Sequence, residues 1–265
     1  MTIFKAESFL QQINNLFETE LDIKLKIGFE QEFYISHSSN DYISILKDKF
    51  PNLHFETEDG ESQFEAITRP TDNLQDGCNQ IINFKSNSLC NFEAMPFPNQ
   101  PGSALNLSVS LWRNNSNLLT KTPGGKDSNY MIWAISGLED LANDLILCYA
   151  PSEKSYDRLK SGKHRPSKIC WGYNNRTTAF RVPTTTQELV RIENRIISSD
   201  ACPIEATNAT LYSIYLGIKS HKTLNHKIYG NANSDEYSLI KLIDNIEEAR
   251  ERFTNFYKLF LLHNS

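Results

Sequence analysis

The sequence predicts an α+β fold: a mainly antiparallel sheet with one apolar and one polar face, backed by helices. Three observations carry that prediction. Residues 27–35 (IGFEQEFYI) and 104–112 alternate strictly, so each presents an apolar side and a polar side. Helical spacing of apolar residues recurs at both ends of the chain and between these strands. No internal repeat, low-complexity segment or clear linker interrupts the pattern, so the 265 residues read as one domain, 1–265, with a core of ordinary size.

Residues 5–20 place Phe9, Ile13, Leu16 and Phe17 on one helical face. In the strand that follows, Ile27, Phe29, Gln31, Phe33 and Ile35 face one way; Gly28, Glu30, Glu32 and Tyr34 face the other. Two carboxylates two residues apart on a strand lie only about 7 Å apart. They repel and resist desolvation unless a cation lies between them. Taken alone, the pair reads equally well as the solvated face of an edge strand. Residues 43–50 read as a short helix stopped by Pro51, and 63–68 as a strand with Gln63, Glu65 and Ile67 on one face. Residues 71–90 look helical. After a proline-rich loop, Leu105, Leu107, Val109 and Leu111 oppose Asn106, Ser108 and Ser110 along the cleanest strand of the chain. An apolar helix is expected over 129–149, strands over 168–173 and 177–182, and a further alternation in VRIENRII, with Arg191, Glu193 and Arg195 on one side. Pro203 opens a buried helix to about Lys219, and an amphipathic helix is expected over 235–262.

Composition narrows the function. A formal charge of −5 argues against a general nucleic-acid binder. No apolar run approaches the roughly 20 residues that span a bilayer, and the N-terminus lacks the layout of a signal peptide. Five widely spaced cysteines without a CxxC pair point to reduced, mostly buried thiols in a cytoplasmic protein. GGKD at 124–127 fails as a phosphate-binding loop, because the first glycine is missing and Asp follows the lysine.

The charges on the polar faces are more informative. Glu30 and Glu32, Glu65, and Glu193 each oppose an apolar strand face, with Glu56 and Glu58 just upstream of the second strand. If these strands are neighbours, the carboxylates converge, which suits magnesium or manganese. Between 154 and 181 the local charge reverses, with nine Lys, Arg or His residues. Guanidinium groups match phosphate and carboxylate oxygens, and carboxylate-held metal with arginines is what phosphoryl transfer requires. Arg–Glu pairs lacing an exposed sheet face would give the same pattern.

Six segments in order resemble the motifs of the glutamine synthetase family over nearly the whole chain. They are GFEQEF (28–33), EDGESQFE (58–65, with Ser62 for a glycine), PGSALNLSVSLW (101–112), SYDRL (155–159), NNRTTAFRVP (174–183) and RIENR (191–195). The resemblance is to the catalytic domain, whose sheet is a curved partial barrel. The family's small N-terminal β-grasp domain, which completes each active site from a neighbouring subunit, is expected to find no room here. Family members stack rings into dodecamers; without that domain a dodecamer is not expected, while a homo-oligomer stays open.

The resemblance implies site residues one by one. Glu32, Glu58 and Glu65 would hold a first metal, Glu58 being preferred to Glu56 on the alignment of the acidic loop. Glu30, Glu193 and Asn106 would hold a second. Arg176, Arg181 and Arg191, with Ser110, would contact the nucleotide; Arg158 and Arg195 would serve the glutamate and the transferring phosphoryl group. The implied activity is an ATP- and magnesium- or manganese-dependent carboxylate–amine ligase. ATP phosphorylates the γ-carboxylate of glutamate, or of a similar carboxylate, and ammonia or another amine then displaces phosphate. No nucleic-acid or membrane partner is expected. The departures are as specific as the matches. Asn106 and Ser108 stand at histidine positions, Pro101 replaces a small polar residue, and His164 stands where a glutamate would deprotonate ammonium. The alternative is therefore a catalytically degenerate homologue that binds nucleotide, metal or a partner subunit without turnover.

Overall fold

The alternating residues around Glu30 and Glu32 form the middle of a sheet, not its edge. The computed structural model describes residues 3–35, 40–161, 165–184, 186, 189–223 and 226–264. In chain order, a 3-10 turn (Ile3–Lys5) leads to α1 (Glu7–Leu21), β1 (Lys24–Ile35), α2 (Asn40–Lys49), β2 (Leu53–Thr57), β3 (Gln63–Thr68) and α3 (Leu74–Asn87). Then come β4 (Cys90–Asn91), β5 (Leu105–Arg113), β6 (Ser116–Asn117), α4 (Asn129–Leu141), α5 (Ile146–Tyr149) and α6 (Glu153–Lys160). Three short strands, β7 (Trp171–Tyr173), β8 (Phe180–Val182) and β9 (Ile192–Asn194), precede α7 (Pro203–Lys219) and α8 (Ile246–Asn264).

The strands form one sheet in the order β2-β3-β1-β5-β9-β8-β7, with β4 on β1 and β6 on β5. It is mixed and open: β7 and β8 run parallel, the other strand pairs antiparallel, and the two ends do not meet. The apolar faces of β1 and β5 (Ile27, Phe29, Leu105, Leu107, Val109) are buried in one core with residues of α1, α3, α4 and α7. Each such side chain removed from water contributes about 1.5–3 kcal/mol, which is why the two strands cannot shift register without exposing the whole row. A smaller cluster packs Phe33, Phe55 and Phe84 beneath β2 and α2.

Several expectations give way to tertiary contacts. The helix expected over 129–149 breaks between α4 and α5, where Asn143 accepts from the Ile243 N–H and donates to the Lys241 carbonyl. The helix expected from 235 begins only at Ile246. Before it, Ile169 N–H and Leu242 N–H bond across to Ile240 and Ser167 carbonyls, and Lys168 Nζ holds the carbonyls of Ser234 and Tyr237. Leu242 and Ile243 are still buried, so this part of the expected helix is core without being helical, while Ile246, Ala249 and Phe253 are both. β2 lies in an acidic stretch and α6 in a charged one. α6 is started by a capping box between Ser152 and Ser155.

The five cysteines are free, with Cys78, Cys148 and Cys170 buried. Among the described residues no helix is long and apolar enough to cross a membrane. Where α4 crosses α7, Gly137 meets Gly217 directly: a Cβ on Gly137 would lie 2.1 Å from the Ser213 carbonyl oxygen and 2.8 Å from Gly217 Cα. Gly137→Ala is therefore expected to cost about 1–3 kcal/mol through overpacking, read as a lowered thermal unfolding midpoint. An unchanged midpoint would contradict this helix crossing.

Candidate functional site

Antiparallel pairing decides which acidic side chains share a face. Glu32 lies opposite Glu65, and Glu65 opposite Glu56, across β1, β3 and β2. Glu30 lies opposite Asn106 on β5, and Ser108, two residues on, opposite Glu193 on β9. Directly opposed residues point to the same side of a sheet, so acids from β1, β3 and β9 and one carboxamide from β5 line one polar face, with Glu56 of β2 at its margin. The sheet thus brings together Glu30, Glu32, Glu65, Asn106 and Glu193. Glu58 follows β2, its N–H bonded to the Gln63 carbonyl. The turn between them places Ser62 at φ 62°, a left-handed position that costs a non-glycine residue about 1 kcal/mol.

The electrostatics show a crowded face. Burial, then neighbouring Glu30, Glu58, Glu32 and Glu56, push the Glu65 carboxyl up to about 8. Burial and then Glu193 raise Glu30, against Arg191; burial and then Glu32 raise Glu58, which Arg176 offsets. Glu56 is turned outward, its Oε1 3.0 Å from His54 Nε2. Glu58 feels both burial and the neighbouring Glu32 charge, so it is the more enclosed of the two acids.

Arginines answer part of the charge. Glu193 is fully buried, with Oε2 accepting from Arg181 Nη1 at 2.9 Å and Oε1 from Arg195 Nη1 at 2.5 Å. Arg191 donates from Nε to Ser108 Oγ at 3.2 Å and lies 3.9 Å from Glu30 Oε1. Glu32 Oε2 accepts the Ala104 N–H at 2.8 Å and lies 3.7 Å from Arg165 Nη2. Arg176 is exposed at the rim. Arg158 is placed differently from the others: it is buried, donating to the carbonyls of Ile196 and Arg195. Burial and then Arg165 lower it to about 9. From there it can hold the Arg195 segment in place. His164 lies outside the described residues.

Beside the acidic face is a cavity of about 460 Å³, lined by Glu30, Ser108, Ser110 and Arg191 at its polar side and by Pro70, Trp112 and Leu189 among its apolar residues. Trp112 Nε1 donates to Ser110 Oγ at 2.9 Å, and Lys26 Nζ sits 4.5 Å from the Trp112 ring centre. The volume suits a small-molecule ligand. Ser110 and Arg191, expected from the sequence at a nucleotide, both line this cavity; Lys26 and Trp112, which the sequence did not single out, line it too, lysine 26 lying on the polar side of β1 two residues before Gly28. Nor did the sequence single out Arg165. Asp127 of the GGKD loop accepts from Tyr173 Oη and Lys227 Nζ at 2.7 and 2.8 Å, fastening that loop.

The family model for the glutamine synthetase catalytic domain matches residues 49–259. The chain belongs to the glutamine synthetase family. It is similar to the γ-glutamylputrescine synthetase of Escherichia coli (strain K12), 27% identical over 183 residues, covering 66% of this chain and 39% of that protein. The glutamine synthetase of Pyrococcus abyssi is 30% identical over 239 residues, covering 77% of this chain and 54% of that one. The chain thus spans about half or less of the length of these relatives. A solved GmaS/ADP complex shares the fold, with a TM-score of 0.77 at 20% identity, covering 93% of this chain and 67% of the other.

A divalent ion is implied by this family resemblance, and the residues fit one. Asn106 Oδ1 is buried without a hydrogen-bond donor, and the Glu30 carboxylate, 3.5 Å from Asn106 Nδ2, adds oxygens of the kind hard cations take. Among the described residues, no three carboxylate, imidazole or thiol groups already gather to ligate one ion. The backbone lines the acids up on one face; Glu32 and Glu193 are turned to guanidinium groups rather than to each other. Removing the most enclosed of these acids is a direct test. Glu193→Ala leaves Arg181 and Arg195 without their shared carboxylate and is expected to cost about 3–5 kcal/mol, measured by urea unfolding. A neutral effect would mean the two guanidinium groups do not depend on it.

Proposed function

We propose that the chain is the catalytic part of an ATP-dependent ligase that joins the γ-carboxylate of glutamate to an amine. The observation that carries this reading is the row of carboxylate and carboxamide side chains across β3, β1, β5 and β9, lying against a ligand-sized cavity and edged by arginines. In this reading the nucleotide lies in the cavity, its base toward Trp112 and its phosphates toward Ser108, Arg191 and Glu30. Glu30, Asn106 and Glu193 would hold one divalent ion, and Glu32, Glu58 and Glu65 another. Such ions neutralise phosphate charge during transfer. Arg176, Arg181 and Arg195 stabilise the transferring phosphoryl group, while Arg158 keeps the Arg195 segment positioned.

The reaction balances without a redox step. A glutamate γ-carboxylate oxygen attacks the terminal phosphorus of ATP, the bond to ADP breaks, and an acyl phosphate forms. The amine nitrogen attacks the acyl carbon, phosphate leaves, and the nitrogen loses a proton. Similarity to a γ-glutamylputrescine synthetase and to a γ-glutamylethanolamide synthetase of Streptomyces coelicolor supports an organic amine as acceptor. So does histidine at 164, which can accept a proton near neutral pH yet offers no negative charge to attract ammonium. A second reading, a homologue that binds nucleotide or metal without turnover, is favoured by the guanidinium groups already paired to Glu32 and Glu193.

Phosphate release from ATP separates the two. Release that requires both glutamate and one amine of a panel, with hydroxylamine trapping the acyl phosphate, is the expected result. A nucleotide-dependent stabilisation of about 2.7 kcal/mol at a hundredfold excess over Kd without phosphate release would favour the binding-only reading. No shift with any nucleotide would remove the ligase. In the same preparation, Asn106→His is expected to tighten manganese binding about tenfold, a change of roughly 1.4 kcal/mol; unchanged affinity would show that Asn106 is not a ligand.

A further inference from the structure

Arg165 follows the 162–164 segment and enters the acidic face from outside the sheet. Its residue is only 8% exposed. Nη2 donates to the Gly102 carbonyl and lies 3.7 Å from Glu32 Oε2. Both ends of this arrangement are anchored. The Gly102 carbonyl also accepts from Gln63 Nε2 at 3.1 Å, and the Arg165 carbonyl accepts from Asn233 Nδ2 at 3.0 Å. Glu32 Oε2 is held by the Ala104 N–H. Among the described residues, Arg165 is the cation within ion-pair distance of Glu32.

A guanidinium in that place is costly in isolation. It lies near the buried Arg158 guanidinium, which it repels, and burying two like charges is unfavourable unless an excess of opposite charge surrounds them. The excess is present: Glu32 and Glu65 stand opposite each other across β1 and β3, and Glu58 adds its charge to both. Arg165 therefore does for the Glu32 corner what a bound ion would do, with one positive charge in place of two.

We propose that Arg165 is a built-in counter-charge at the Glu32 corner, and that a divalent ion engages Glu32 only by displacing the guanidinium. The inference rests on the ligase reading for its divalent ion. Occupation of Glu32 by Arg165 and by the ion are mutually exclusive, so each weakens the other by the same factor. The consequence is that the chain resists idle metal loading, and that anything drawing Arg165 away, such as a substrate carboxylate matched to its planar fork, raises affinity for the ion.

Manganese alone, titrated calorimetrically into the chain without nucleotide, tests this. Arg165→Gln keeps a donor for the Gly102 carbonyl but carries no charge, and is expected to bind Mn²⁺ about tenfold more tightly. Combining it with Glu32→Gln is expected to abolish that gain, because the coupled partner is gone. Arg165→Lys keeps the charge but not the fork, and is expected to bind between wild type and Arg165→Gln, which preserves the test should the glutamine variant not fold. Unchanged or weaker binding in folded Arg165→Gln, or binding by Arg165→Lys weaker than wild type, overturns the proposal. If those results accompany manganese-dependent phosphate release by wild type, the inference fails while the ligase stands. If no variant binds Mn²⁺, both fail.

Discussion

The pairing register of β1 against β3 and β5 is the constraint on which the site depends. A strand has a side-chain period of two, so one residue of slip would carry Glu30 and Glu32 into the core and Phe29 and Phe33 into the site. Ile27, Phe29, Leu105, Leu107 and Val109 forbid that slip by burying one face completely. The opposite face is then free to gather like charges at a cost the core offsets. Apolar packing on one side of the sheet is therefore what permits carboxylates to be stacked on the other.

Counter-charge completes the arrangement. Glu193 sits between two guanidinium groups, Glu30 lies near Arg191, and Glu32 near Arg165. Glu65 and Glu58 have no such partner at ion-pair distance among the described residues; burial, then neighbouring acids, raises their carboxyls. Charge is thus balanced unevenly across the face, more fully toward β9 than toward β3. The acid-rich, cation-poor end is where an added ion relieves the most repulsion, and Arg165 stands at its boundary.

Much of this was legible in the residues because period-2 alternation survives in a sheet with one buried face. β3 and α7 have the bounds that alternation and Pro203 suggest, and the strand carrying Asn106, Ser108 and Ser110 differs by one residue at each end. The acids, Ser110 and Arg191 follow from the same alternation together with family motifs. What was not legible depends on contacts distant in sequence. Nothing local in 142–145 or 235–245 forbids a helix; the pairing of Asn143 and Lys168 with the C-terminal segment does. Arg158 and Arg165 are both basic residues of one charged stretch. Only the packed structure distinguishes the one that braces main-chain carbonyls from the one that faces Glu32.

In the reading proposed above, the carboxylate face is a cradle for divalent cations. Anomalous diffraction from crystals grown with manganese and a nucleotide tests it most directly. A manganese peak bonded to Asn106 Oδ1 and a Glu30 oxygen is expected, with a second near Glu58 and Glu65. Ordered nucleotide with no manganese at either place would contradict it.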